Sequence, residues 1–283
     1  MKLTKGKIVT FISVGGAVIV LLLLSAFLDL AIAESIYNPL SVFGEVFDVL
    51  GQAPCYLMVA LCLSFTFAYS YKKSGKKFLT ISILSVTLSV VIWFVIINIY
   101  FGSIFKLWQV ILISLPLNAL LLAFINFSEV SKEKLFKFAL FTLCLICLSI
   151  LINQGLKFIW GRYRFNDLYK AGALSNFTPW WQIRGVNGNK SFPSGHTTAA
   201  TTMFCLMYLL ELFNAKKKVK ISLCVMLALY VIGVAYSRMV IGAHYLSDVT
   251  VGFGVTFVIF LLCYNVSKKL EEKFAKKVTN EKE

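Results

Sequence analysis

The chain has 283 residues, 59% of them hydrophobic, and a mean hydropathy of +0.81, above the roughly half-apolar composition of soluble domains. Only 14% are charged, and the charges cluster between apolar runs long enough to cross a hydrocarbon core of about 30 Å, which excludes a soluble globular fold. A net charge of +15 would suit nucleic acid, but the lysines recur at the ends of apolar stretches and form no basic domain, so nucleic acid is excluded as a partner.

In chain order, apolar runs at about 8–29, 53–71, 78–101, 107–127, 135–156, 197–214, 219–236 and 247–266 predict an all-α, polytopic membrane helix bundle of about eight spans. The first run follows Lys2, Lys5 and Lys7 and exceeds the core of a secretory signal, about 7–15 residues, so a retained span is expected rather than a cleaved leader. Residues 34–52, with Pro39, Gly44 and Gly51 among Phe43, Val46, Phe47 and Leu50, suit a short amphipathic helix on the outer surface, or a plain connecting loop. The run at 107–127 is interrupted by Pro116 and Asn118, and that at 219–236 is only just long enough to span. All seven cysteines lie in apolar stretches without the spacing of a zinc site, and read as packing residues.

Charge sets the expected orientation. Segments 1–7, 72–77, 128–137, 215–220 and 267–283 hold 20 of the 28 basic residues and alternate to one side, which makes that side, and both termini, cytoplasmic. The opposite side keeps Lys106, Lys157, Arg162, Arg164, Lys170, Arg184, Lys190 and Arg238, most of them within 157–190. Basic residues concentrated where topology disfavours them point to a bound anion.

Three clusters fall at the outer ends of the later spans: Lys157 with Arg164; Ser191 to His196; and Ser237-Arg238 with His244 and Asp248. His196 and His244 are the chain's only histidines. His244 and Asp248, four apart, are expected on one side of a helix, with the carboxylate accepting one ring N–H and the other nitrogen left with its lone pair. Ser194 and Gly195, where a loop enters a helix, suit an oxyanion seat of backbone N–H groups, and His196 at its mouth suits proton transfer to a leaving oxygen. Lys157, Arg164 and Arg238 supply charge matched to phosphoryl oxygens. Arg162, Arg184 and Lys190 are expected to widen that positive funnel for a diphosphate or a second phosphate, or else to be solvated loop charges. Trp180 and Trp181 suit the interfacial belt.

Together these clusters resemble the type 2 phosphatidic acid phosphatase family, which is related to the vanadium haloperoxidases and whose pattern is Lys-x6-Arg-Pro, Pro-Ser-Gly-His and Ser-Arg-x5-His-x3-Asp. Lys157 and Arg164 keep the first spacing, Pro193 to His196 the second, and Ser237, Arg238, His244 and Asp248 the third; Phe165 stands where the family has proline. The resemblance covers roughly 150–255 and implies a six-helix phosphatase core, so two of the eight spans look like upstream additions. The domain reading is therefore N-terminal spans over 1–134, a phosphatase core over 135–267, and a lysine-rich cytoplasmic tail over 268–283.

The resemblance implies His244 as the nucleophile forming a phosphohistidine, Asp248 as its orienter, and His196 as acid for the leaving group and then base for water. Lys157, Arg164, Ser194, Gly195 and Arg238 would hold the phosphoryl oxygens, with no metal and no cofactor. The expected activity is hydrolysis of a phosphate or pyrophosphate on a membrane lipid at the outer face of a bacterial cytoplasmic membrane. Undecaprenyl diphosphate, phosphatidylglycerol phosphate, phosphatidic acid and a lipid A phosphate all fit the seat. A lipid phosphotransferase is the alternative within the same chemistry, and a transporter or channel the alternative outside it.

Overall fold

The computed structural model describes residues 5–71, 75–101 and 130–280, together with Trp108, Gln109, Leu112, Pro116, Leu120 and Ala123. Among the described residues there is no strand, and the chain is an all-α membrane protein. Its helices are α1 (Lys5–Ile36), α2 (Val42–Leu50), α3 (Ala53–Tyr71), α4 (Lys76–Phe101), α5 (Lys132–Trp160), α6 (Phe165–Lys170), α7 (Gly195–Thr202), α8 (Cys205–Leu212), α9 (Lys217–Val240) and α10 (Leu246–Asn280).

Six stretches among the described residues are long and apolar enough to cross a membrane: Phe11–Ile36, Val42–Tyr71, Lys77–Asn98, Lys132–Lys170, Lys217–Val240 and Leu246–Lys273. The run expected at 107–127 lies almost wholly outside the described residues. The run expected at 197–214 is two helices, α7 and α8, with a break at Met203 and Phe204 where the backbone bonds tighten to i→i+3 (Leu206 N–H to Met203 O, 3.1 Å; Met207 N–H to Phe204 O, 2.9 Å). The segment before the break is rich in threonine, and the Thr201 hydroxyl donates to the Thr197 carbonyl at 2.7 Å, a local bond that competes with helix propagation.

The chain falls into two compact units, each drawn from three separated stretches: Met1–Gly51, Leu148–Thr201 and Leu227–Ile259; and Gln52–Cys147, Thr202–Met226 and Phe260–Glu283. In the second, α3 packs on α4, Tyr69 stacks on Phe136 with ring centroids 4.3 Å apart, and Phe141 meets Tyr208 at 4.4 Å. Its charges neutralise one another: Lys268 lies 3.2 Å from Glu211 and 2.9 Å from Glu271, Tyr264 donates to Glu211 at 2.6 Å, and Tyr208 donates to Glu271 at 2.8 Å.

In the first unit, the described side chains of α1 that are buried form a narrow stripe, Ser25, Asp29 and Ala33 at a spacing of four, while Leu23, Leu24, Phe27 and Leu28 are exposed. A helix so apolar with so little of it covered suits lipid on its remaining faces. Phe165, which stands where the family pattern has proline, is the first residue of α6, where proline is ordinarily favoured for its fixed φ. Here packing does that work. The Phe165 ring is fully buried among Ala33 and Tyr245, edge-on to Tyr37 at 5.1 Å, and Asn166 N–H donates to the Gly242 carbonyl at 2.9 Å. Gly242 has φ +68°, and a Cβ there would fall 2.8 Å from the Tyr37 ring, so both conformation and space require glycine.

Candidate active site

The chemistry-bearing residues all belong to the first unit, and the N-terminus of α10 is their anchor. Asp248 is the third residue of that helix. Its Oδ2 accepts the backbone N–H of Tyr245 at 2.9 Å, the return half of a capping box, and also the Ser191 hydroxyl at 2.6 Å. The second N–H of the helix, that of Ser247, donates to Asp29 Oδ1 on α1 at 3.0 Å. Two carboxylates thus meet orphan donors at the positive end of one helix, where negative charge is stabilised.

His244 lies outside that helix, in the turn that follows α9, with its backbone N–H on the Arg238 carbonyl at 3.2 Å. The expectation that His244 and Asp248 share a helix face therefore fails, because α10 begins only at Leu246. His244 Nδ1 is 2.6 Å from the Ser191 carbonyl oxygen, while Asp248 Oδ2 is 3.6 Å away. A carbonyl oxygen only accepts, so Nδ1 carries the proton and Nε2 carries the lone pair. Burial lowers the His244 pKa to about 4, against the opposing pull of Asp248 and with help from the positive charge of Lys157. The imidazole is neutral across the physiological range.

Arg162, expected either to widen the positive funnel or to be a solvated loop charge, is instead 1% exposed and committed to protein partners. Nη1 bonds Asp248 Oδ1 at 2.6 Å and Ser247 Oγ at 2.8 Å, Nη2 bonds Asp29 Oδ2 at 2.9 Å, Nε bonds the Thr178 carbonyl at 2.9 Å, and the guanidinium lies over the Tyr245 ring at 4.1 Å. Two buried aspartates flank it, which is why it is drawn inside rather than out. Arg184 stays exposed, over the Tyr163 ring at 4.9 Å with Nη1 on the Asn176 carbonyl, and Lys190 is exposed. Trp180 donates its indole N–H to the Leu22 carbonyl of α1 at 3.3 Å, and Trp181 is exposed.

The start of α7 packs on α10. Gly252 makes this approach feasible, since a Cβ there would fall 2.7 Å from the Ser194 carbonyl oxygen. The Ser194 side chain caps α7 by accepting the Thr197 N–H at 3.3 Å, and the Ser194 N–H donates to the Asp248 carbonyl at 2.9 Å. That N–H is therefore occupied rather than offered to an anion, a departure from the seat expected of Ser194. A Cβ on Gly195 would lie 3.9 Å from Lys157 Nζ, so the missing side chain leaves the ammonium uncovered on that side.

Lys157, on the last turn of α5, is 9% exposed, and its Nζ donates to the Lys190 carbonyl at 2.8 Å. Among the described residues no carboxylate lies within ion-pair distance of it. Asn153, one turn earlier, donates to Thr198 Oγ1 at 2.9 Å, while its buried Oδ1 has no partner among the described residues. Arg164 is exposed at the N-cap of α6 and adds like-charge repulsion at both Lys157 and Arg238.

Arg238 is 2% exposed, near the end of α9. Its Nη1 bonds Asp48 of α2, its Nη2 bonds the Gly44 carbonyl at 2.8 Å, and its buried Nε has no partner among the described residues. Asp48 Oδ1 is also 3.0 Å from His196 Nε2. The segment at 34–52 thus contains a helix, capped by Ser41, and contributes a carboxylate to the candidate site.

Sequence reasoning missed Asp29 and Asp48, and gave Ser191, named in the second cluster, no role of its own. Asp29 carried a signal, an acid within an otherwise apolar run, which ordinarily finds a partner inside the bundle. Asp48 lay on the polar side of an amphipathic segment with nothing to distinguish it from a solvated charge. Ser191 acts at His244 through its backbone carbonyl, which any residue supplies.

Residues 138–272 match the family model described as the PAP2 superfamily. Two similar curated proteins are a Lipid A 4'-phosphatase of Rhizobium leguminosarum, 34% identical over 136 residues (48% of this chain, 55% of that one), and a Lipid A 4'-phosphatase of Rhizobium etli, 33% identical over 112 residues (39% and 42%). The chain spans about half the length of these curated relatives. No solved structure gives a significant match. All three clusters, from Lys157 to Asp248, lie inside the stretch that is similar to this family.

Proposed function

We propose that this protein is a lipid phosphatase that hydrolyses a phosphate monoester or diphosphate carried on a membrane lipid, through a phosphohistidine on His244. The observation that carries the reading is the surplus of buried donors beside a neutral imidazole. Lys157 Nζ meets a carbonyl and no described carboxylate, and Arg238 Nε meets nothing among the described residues, while His244 has its Nε2 lone pair set by the Ser191 carbonyl. A buried ammonium without an ion-pair partner is costly, as is an unbonded guanidinium N–H, and a phosphoryl group supplies both the charge and the acceptors.

In the proposed reaction His244 Nε2 attacks phosphorus, the N–P bond forms, and the P–O bond to the lipid breaks as His196 gives a ring proton to the leaving oxygen. Water then attacks the phosphohistidine, His196 takes its proton, and the N–P bond breaks to release inorganic phosphate. Lys157, Arg164, Arg238 and the N-terminus of α7 at Gly195 hold the phosphoryl oxygens; Asp248 holds Ser191 and, at longer range, His244. Arg184 and Lys190 are left as exposed charge for the rest of the headgroup.

The membrane supplies the remaining argument. A site at the ends of spans lets a lipid diffuse laterally and present only its phosphate, and the lysine distribution supports the outer face, with both termini cytoplasmic. The relatives' names favour a lipid A phosphate within the wider set of lipid phosphates. The test is phosphate release by purified protein from lipid A, undecaprenyl diphosphate, phosphatidylglycerol phosphate and phosphatidic acid, with and without vanadate. The reading requires release from at least one of them, inhibition by vanadate and abolition by His244→Ala. Turnover only with an added lipid or sugar acceptor would make the protein a phosphotransferase.

A further inference from the structure

The helix α2 comes from upstream of the matched family stretch, yet it reaches two residues of the proposed reaction. Asp48 Oδ1 lies 3.0 Å from His196 Nε2 and bonds Arg238 Nη1, and the Gly44 carbonyl takes Arg238 Nη2 at 2.8 Å. The docking is close. A Cβ on Gly44 would fall 2.2 Å from the Ile241 side chain, one on Gly51 would fall 3.2 Å from the His196 ring, and the Tyr230 hydroxyl donates to the Leu50 carbonyl at 2.9 Å. Glycine at 44 and 51 lets α2 approach to hydrogen-bond distance, and Ser41 fixes where the helix starts.

We infer that Asp48 is a positioning residue of the phosphatase: it orients the His196 ring for proton exchange with the leaving oxygen, while the Gly44 carbonyl holds the Arg238 guanidinium independently of the side chain at 48. The inference rests on the function proposed above. A carboxylate only accepts, so the bond from Asp48 requires the proton on His196 Nε2 and sets the ring plane, as an acidic partner does for imidazoles that handle protons. Binding both Nη groups from α2 leaves Arg238 Nε as the donor without a described partner, turned to its own task. Charged and titratable groups near His196 include Asp48 from α2, Arg238 from α9 and, at longer range, the neutral imidazole of His244. The opposite assignment, in which Asp48 occupies the anion seat and restrains the enzyme, predicts the reverse effect on rate.

Asp48 is 58% exposed, so Asp48→Asn and Asp48→Glu are tolerated by the fold, which thermal unfolding in detergent checks. Each variant is assayed on a lipid monophosphate, whose alkoxide leaving group needs a proton, and on p-nitrophenyl phosphate, whose phenolate does not. Because general acid–base catalysis is worth about 10²–10⁴-fold, Asp48→Asn is expected to lower kcat/KM, which reads the steps up to departure of the leaving group, by at least about tenfold on the lipid while kcat/KM on the aryl phosphate stays within about threefold. Asp48→Glu is expected to recover most of the ratio between the two.

Equal losses on both substrates, no loss on either, or a faster Asp48→Asn enzyme would overturn the inference. His244→Ala separates the two levels of argument. If it is inactive on both substrates while Asp48→Asn behaves as wild type, only the role of Asp48 falls; if it retains full activity, the phosphohistidine reading falls with it.

Discussion

Arg162 and Asp248 form a buried ion pair, Nη1 to Oδ1 at 2.6 Å, in which the arginine is 1% and the aspartate 0% exposed. The same guanidinium holds Asp29 of α1 at 2.9 Å, so one cation compensates two buried carboxylates from helices far apart in sequence. Removing it leaves both without a counter-charge. Breaking a buried pair from one side costs about 3–5 kcal/mol, so Arg162→Met is expected to fail to fold or to unfold at much lower temperature in detergent. Asp29→Asn, which keeps the shape but leaves part of the guanidinium uncompensated, is expected to cost about 1–3 kcal/mol. Thermal unfolding of the purified variants reads both.

Lys157 leads to the opposite expectation for stability. It is buried with a carbonyl partner and no described carboxylate, so its charge is a cost to the fold in the absence of substrate. Lys157→Met is expected to abolish phosphate release while leaving the melting temperature unchanged or higher. A loss of stability comparable with that of Arg162→Met would mean that the lysine is structural.

Gly195→Ala tests the seat itself. The added methyl would sit 3.8 Å from Asn153 Oδ1 and Lys157 Cε and 3.9 Å from Lys157 Nζ, ordinary contact distances that the fold accommodates. It would, however, occupy the open side of the ammonium. Folding should be unaffected and vanadate inhibition weakened by about tenfold or more, the equivalent of one hydrogen bond to a charged group at about 1.5–3 kcal/mol.

The buried state of His244 has a pH signature. Its pKa is lowered to about 4 from an ordinary value of about 6.5, so the neutral imidazole persists through pH 5. The acid limb of kcat/KM attributable to His244 is therefore expected near pH 4, well below the ordinary imidazole range, in a pH–rate profile on p-nitrophenyl phosphate. The sign for stability follows from the same shift. Because the folded pKa is depressed, the unfolded chain binds the proton more readily, so this contribution is fully present above about pH 6.5 and is lost as pH falls toward 4. Melting temperature across that window should fall, and fall less in His244→Ala.

Phe165 distinguishes backbone stiffness from packing at the family's proline position. Phe165→Ala, at a fully buried ring, is expected to cost about 3–5 kcal/mol. Phe165→Pro suits the first helical position but loses the same contacts with Tyr37 and Tyr245, so it too should lower the melting temperature rather than raise it.

Composition and periodicity were enough to establish a helical membrane protein, because the bilayer imposes a length and an apolarity that a run of side chains displays without reference to its neighbours. Motif spacing likewise pointed to His244, His196, Asp248, Lys157, Gly195 and Arg238, since each lies at a helix end where local pattern and chemistry coincide. The partners of those residues were set by packing between segments remote in sequence. Ser191 rather than Asp248 takes the His244 proton because α10 starts two residues after the histidine, and where a helix starts depends on its caps, one of which, Asp29, comes from α1. Arg162 could be read as part of a positive funnel or as a solvated loop charge until Asp29 and Asp248 were seen to flank it, for charge alone does not reveal burial. Asp48 joined the site only because glycines at 44 and 51 let one short helix come within hydrogen-bond reach of His196 and Arg238, a contact between surfaces that no single segment encodes.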